Sequence, residues 1–183
     1  PDGHWDMHPY LRPYAAARLR EVGQDDDARG KHLSYFMELA ESAALGLAGP
    51  DQVAWQARLE REHGNLRAAL NWALDQGQVE AAARLCCGIW YFWSLGGHYS
   101  EGRHWLARVR SDPACAALPD VLCTEVLNVS GILAQYQGDL REAGAFCEES
   151  LALARRSGNQ RGIYRALAVL GIVARAQGEL RRA

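Results

Sequence analysis

β-Branched residues are scarce. Valine, isoleucine and threonine together number 14 in 183 residues, against 30 alanines and 23 leucines. That balance disfavours a sheet and favours helices. No apolar run approaches the roughly 18–20 residues needed to cross a bilayer, so no membrane span is expected. No basic-then-apolar signal segment opens the chain. An excess of positive charge is also missing: the formal net charge is −2, which counts against a free-standing nucleic-acid binder. Lysine is nearly absent, one residue against 19 arginines. The five cysteines, Cys86, Cys87, Cys115, Cys123 and Cys147, form no CxxC pair and are odd in number. A disulfide scaffold or zinc ribbon is therefore poorly supported, and a reducing cytoplasm is expected. Free cysteine packs as a small hydrophobe, and the vicinal Cys86 and Cys87 would point about 100° apart on a helix. There is no GxxxxGK[ST] phosphate loop and no recognisable DNA-binding helix pair, so neither ATPase activity nor autonomous DNA binding is expected of this segment.

What is present is a chain able to bury a core, with 49% hydrophobic and 23% charged residues. Helical periodicity runs almost throughout. Helices are expected over 10–22, 26–47, 52–63, 66–76, 78–95, 99–110, 121–137, 140–156 and 160–177, with a break at Gly64-Asn65. In the second, Leu33, Phe36, Met37, Ala40 and Ala44 share a face; in the third, Val53, Trp55 and Leu59 point inward. Asp51 and Asn65 are candidate N-caps. Residues 111–120, with Pro113 and Pro119, form the longest expected loop. The sequence opens on Pro1 and stops at Ala183 just as a further helix begins, so a fragment of a longer chain is expected.

The most informative feature is self-similarity at a spacing of 40 residues. LNVSGILAQYQGDLREA (127–143) and LAVLGIVARAQGELRRA (167–183) agree at ten of 17 positions. A fainter copy covers 86–102, where Gly97, Tyr99, Glu101 and Gly102 sit near the equivalent turn. Gly131 and Gly171 fall mid-helix, where glycine costs about 1 kcal/mol against alanine. Close approach of a second helix explains them, with Ala143 and Ala183 as the small residues facing the gap. Gln137-Gly138-Asp139 and Gln177-Gly178-Glu179 read as tight turns, the glycine left-handed and the acid opening the next helix.

This pattern resembles the tetratricopeptide repeat. Leu127, Gly131, Ala134, Leu140, Ala143, Cys147 and Ser150 occupy its positions, as do Leu167, Leu170, Gly171, Ala174, Leu180 and Ala183 in the next copy. Alanine replaces the usual first-helix aromatic, Cys147 replaces the second, and the copies lie 40 rather than 34 residues apart. The expected fold is all-α: a tetratricopeptide-like right-handed superhelical solenoid of about five antiparallel helix pairs. Residues 1–47 would form an N-terminal junction and 48–183 the repeats.

A second resemblance is narrower. MHPYLRPYAAARL (7–19), WQARLEREHGNLRAALNWAL (55–74) and WYFWSLGGHYSEGRHWL (90–106) are similar to segments of large bacterial transcriptional regulators of the LuxR and SARP types. These regulators carry a STAND-class, NB-ARC-like ATPase core. Pro9 and Pro13 depart from the usual pattern. The resemblance implies a sensor or scaffold region, with the nucleotide site and the DNA-binding domain elsewhere in the polypeptide. The expected partner is a protein or peptide segment, including the regulator's own ATPase core, or a small-molecule effector.

If the first helix of each pair lines the concave wall, the outward positions are Arg84, Cys87, Tyr91 and Ser94 in the faint copy. In the next they are Glu125, Asn128, Ile132, Gln135 and Tyr136, and in the last Arg165, Ala168, Ile172 and Arg175. That mixture suits a peptide or small effector. The run Trp90-Tyr91-Phe92-Trp93, with Tyr99 and Trp105, cannot be buried on one helix face. It is either core between two helix layers or an aromatic pocket lined by Trp90, Trp93, Tyr99 and Trp105. His98 and His104 have poor metal spacing, His4 and His8 lie beside Pro9, and Asp25-Asp26-Asp27 lacks the alternating ligands of a calcium loop. No metal, cofactor or catalytic residue is expected. The alternatives to a regulator's sensor module are a general tetratricopeptide adaptor and a small-molecule-binding helical domain.

Overall fold

The computed structural model describes residue 8 and residues 10–178. Within them the chain is all-helical: α1 (Leu11–Glu21), α2 (Asp25–Gly46), α3 (Gln52–Asp75), α4 (Val79–Gly96), α5 (Tyr99–Ser111), a short 3-10 turn (Pro113–Ala117), α6 (Asp120–Tyr136), α7 (Leu140–Ser157) and α8 (Gln160–Ala176). No strand occurs among the described residues.

One expected break is absent. α3 runs unbroken through Gly64-Asn65. Leu59, His63, Leu66, Leu70 and Ala73 are all buried on it, an i, i+3, i+4 stripe that stays in phase across the glycine. Burying a large apolar side chain contributes about 1.5–3 kcal/mol, so several such residues outweigh the roughly 1 kcal/mol helix cost of one exposed glycine. Asn65 therefore caps nothing; its Nδ2 donates to Glu62 Oε2. Val53 lies outward, 81% exposed, contrary to expectation, and Ala44 is exposed as well. Pro13 is accommodated because it stands in the first turn of α1, where a backbone N–H has no helical partner.

The helices pack as two rows. Each even-numbered helix touches the even helix before it: α4 on α2, α6 on α4, α8 on α6. Each odd helix returns beside its neighbours, with α6–α7 the most extensive pairing and α7–α8 next. Glycine turns make the reversals tight: Gly77, Gly97, Gly138 and Gly158 all have positive φ, +82° at Gly138, a region that side chains with a Cβ avoid. Asp139 and Asn159 cap the next helices, accepting the backbone N–H of Glu142 at 3.1 Å and of Gly162 at 3.0 Å.

Small residues set the close approaches. A Cβ on Gly131 would lie 2.5 Å from Cys147 Sγ and 3.2 Å from the Ala143 carbonyl oxygen. The α6–α7 gap is thus the one the repeat predicts, with Ala143 facing it. At Gly171 a Cβ would meet nothing within 4 Å among the described residues; Ala183, its expected counterpart, lies outside them. In the faint copy the sizes are exchanged: Trp93 is large, and Gly102 leaves room for it, since a Cβ there would fall 2.6 Å from Trp93 Cε3. Between even helices, Gly88 abuts Ala40, and Gly162 abuts Thr124. The main core spans α2 to α6, and a smaller cluster joins α6, α7 and α8.

Candidate functional site

The face of the even helices carries most of the residues singled out in the sequence, and α4, α6 and α8 bring part of that set together. Arg165 on α8 donates from Nη1 to Glu125 Oε1 on α6 at 2.8 Å, and its guanidinium lies 5.6 Å from the Trp90 ring on α4. Trp90 in turn lies 5.1 Å from Tyr91. The result is a strip of aromatic, cationic and anionic groups crossing three helices. A cavity of about 80 Å³ adjoins it, lined by Glu125, Asn128, Asn159, Gly162 and Arg165 among others.

Other members of the set lie elsewhere. Asn128 is 1% exposed and turned into the α6–α8 seam, where Nδ2 donates to the Gly162 carbonyl at 3.2 Å. Its Oδ1 has no hydrogen-bond partner. Cys87 is buried. Ser94 bonds back to the Trp90 carbonyl of its own helix. Arg84 pairs with Glu80 at 2.7 Å, one turn away. Gln135 is half-buried, and Tyr136 is exposed and stacks on Tyr99 at 5.6 Å between centroids. Arg175 is exposed near the end of α8.

The aromatic run is divided between core and rim. Phe92 and Trp93 are fully buried, and Trp105 nearly so, whereas Trp90, Tyr91 and Tyr99 are half-buried. Two grooves of about 700 and 720 Å³ lie away from them, one along α7 and α8, the other around the 3-10 turn.

A polar cluster that the sequence reading missed sits at the α4–α5 turn. His63 on α3 is buried, and its Nε2 is 3.0 Å from Glu101 Oε1 on α5. Arg67 Nε donates to the same oxygen at 2.8 Å, a second Arg67 nitrogen contacts Oε2, and Trp105 Nε1 donates at 3.3 Å. Burial alone would raise the Glu101 carboxyl; the hydrogen bond from Arg67, the charge of His63 and the bond from Trp105 outweigh it and hold the group at about 2. On the other side of His63, Glu60 Oε1 lies 3.9 Å from Nδ1, and Glu60 Oε2 lies 3.2 Å from His98 Nε2. Along the sequence the nearest histidine to His98 is His104, which is exposed. The usable signal was Glu60-x-x-His63, two side chains on one helix face; their partner arrives 35 residues later, beyond local periodicity. His4 lies outside the described residues, and Asp25 and Asp27 serve as i, i+4 partners of Arg29 and Lys31.

Known proteins place this geometry in a context. Over 168 residues, 88% of this chain, the sequence is 28% identical to proteins named "Putative HTH-type transcriptional regulator" from Mycobacterium bovis and from two strains of Mycobacterium tuberculosis. It is similar to part of a transcriptional regulator. The match covers 19% of those proteins, so the chain spans less than a fifth of the length of the curated relatives it matches. No family model matches the chain, and no solved structure matches it. No described helix is long and apolar enough to cross a membrane.

Proposed function

We propose that this chain is a non-catalytic interaction and sensor module of a larger bacterial transcriptional regulator. The observation that carries the reading is the match along 88% of the chain to regulators several times its length. We read the two rows of helices as a tetratricopeptide-like, right-handed solenoid: even helices line the inner wall, odd helices the outer, and each pair covers its neighbour's apolar face. The successive even–even contacts and the left-handed glycine turns support that reading.

The strip Tyr91–Trp90–Arg165–Glu125 is the binding surface in this reading. It offers a ring face, a guanidinium and a carboxylate to a protein or peptide segment, the regulator's own ATPase core included, or to a small effector. Binding there would shift the solenoid against that core and relay the signal. The module works in the cytoplasm and leaves DNA to another part of the polypeptide, in keeping with its net charge of −2. The test is a promoter reporter with the whole regulator carrying Tyr91→Ala and Arg165→Ala, alongside partner pull-down. Loss of response and of capture is expected; unchanged response and affinity would remove this surface from the function. A parent reading frame holding only repeats would favour the adaptor reading instead. Full burial of Phe92 and Trp93 leaves the small-molecule reading without an open aromatic wall at those positions.

A further inference from the structure

We infer that Glu60, His63 and His98 form a binding site for a divalent first-row transition-metal ion, with zinc as the best fit. One donor atom from each residue lies within 4.8 Å of the other two. Zinc–ligand bonds of about 2.0–2.1 Å place tetrahedral donors roughly 3.3 Å apart. The carboxylate already stands 3.9 Å from one imidazole nitrogen and 3.2 Å from the other. The ring centroids are 4.6 Å apart. Closing the set asks the donors to approach by about 1.5 Å at most, a distance that side-chain rotation spans.

The groups behind the donors strengthen the assignment. A histidine that ligates zinc commonly gives its other ring N–H to a carboxylate, which fixes the tautomer and aims the free lone pair. His63 has that arrangement: Nε2 faces Glu101, and Nδ1 faces Glu60. Glu101 is itself immobilised by Arg67 and Trp105, so the ring is held before any ion arrives. On the remaining sides, Phe92 lies 5.1 Å from the His63 ring and 5.3 Å from the His98 ring. Gly96 leaves the space His98 occupies, because a Cβ there would stand 2.7 Å from His98 Cδ2. That same Cβ would lie 2.9 Å from both Gln56 Nε2 and His98 Nε2, and Gln56 Oε1 is buried without a hydrogen-bond partner. Gln56 and His98 thus approach the same point over Gly96. Glu60 is half exposed, which gives the ion a path from solvent.

The ligand set of two histidines and one carboxylate selects zinc over magnesium or calcium, which require oxygen ligands. The consequence is a staple between α3 and the start of α5. The measurement is titration of the untagged 183-residue chain with Zn2+ by calorimetry, and with Co2+ by visible absorption. A saturable site of one ion per chain is expected, with cobalt d–d bands but no thiolate charge-transfer band. Thermal melting should rise with Zn2+ and fall back with a chelator. His98→Asn and Glu60→Gln, both at accessible positions, should each weaken binding at least tenfold while keeping the metal-free helical spectrum and melting. His104→Asn should bind as the parent does. Absence of a saturable site, a thiolate band, or full binding by the His98 and Glu60 variants would overturn the assignment.

Discussion

Gly131 stands mid-helix where α6 comes closest to α7, and alanine there is predicted to destabilise the protein. In a helix interior, alanine is favoured over glycine by about 0.8–1 kcal/mol. At Gly131 the methyl falls 2.5 Å from Cys147 Sγ and 3.2 Å from a backbone carbonyl oxygen. The sulfur is buried, and the carbonyl belongs to the facing helix, so α6 and α7 must separate. Overpacking of this kind costs about 1–3 kcal/mol, which leaves G131A net destabilised by roughly 1 kcal/mol after the propensity gain. The assay is urea unfolding followed by circular dichroism, with the midpoints compared at constant m. Cys147→Ala in the Gly131→Ala background removes the nearest atom, and a double-mutant cycle should return a coupling of about 0.5 kcal/mol or more. If G131A proved stabilising, or the cycle showed no coupling, close approach would not be the reason for the glycine.

Two further outcomes follow from burial and charge. Cys147, pushed up to about 12 by burial, and Cys86 and Cys87, raised by the same cause, should resist alkylation in the native state; Cys115 and Cys123, less buried, should label first, and all five should label in urea. Early labelling of Cys147 would contradict the packed α6–α7 seam. Glu101, held at about 2 in the fold, should stabilise the protein fully above the ordinary carboxylate range near 4.3 and lose that contribution as pH falls from there through about 2. Glu101→Gln should flatten the acid limb of the stability profile, and an unchanged limb would show that the Arg67 and His63 contacts are not formed in solution.

What the sequence disclosed was whatever repeats or recurs locally. The Gly131–Ala143 gap and the turns at Gly138 and Gly158 were legible because glycine at those places has one physical use. The continuity of α3 is legible too, in the in-phase stripe from Leu59 to Ala73, because the propensity cost of the Gly64-Asn65 pair is too small to break it. Val53 fits an inward phase, yet among the described residues nothing covers that side of the first turn of α3. Asn128 counts as outward by helical phase, yet Gly162 lets α8 approach so closely that the position is covered. The His63–Glu60–His98 cluster depends on which turn docks against which helix, and nothing within one helix's reach encodes that.

The two rows of helices are joined by different materials. Even helices meet mainly through backbone and methyl groups, Gly88 on Ala40 and Gly162 on Thr124, with the Arg165–Glu125 pair beside the second contact. Odd helices are tied by long side chains: Arg67 of α3 reaches Glu101 in the first turn of α5, and Arg103 of α5 reaches Asp139 and Glu142 at the start of α7. Close-packed contacts lose much of their attraction when parted by even 0.5–1 Å, whereas flexible charged side chains follow a partner over larger distances and weaken with salt. Flexing that spreads the odd row therefore meets little resistance, while flexing that spreads the even row meets much. The molecule has a stiff edge and a compliant one, and ionic strength acts chiefly on the compliant edge, with the Arg165–Glu125 pair as the ionic tie of the even row.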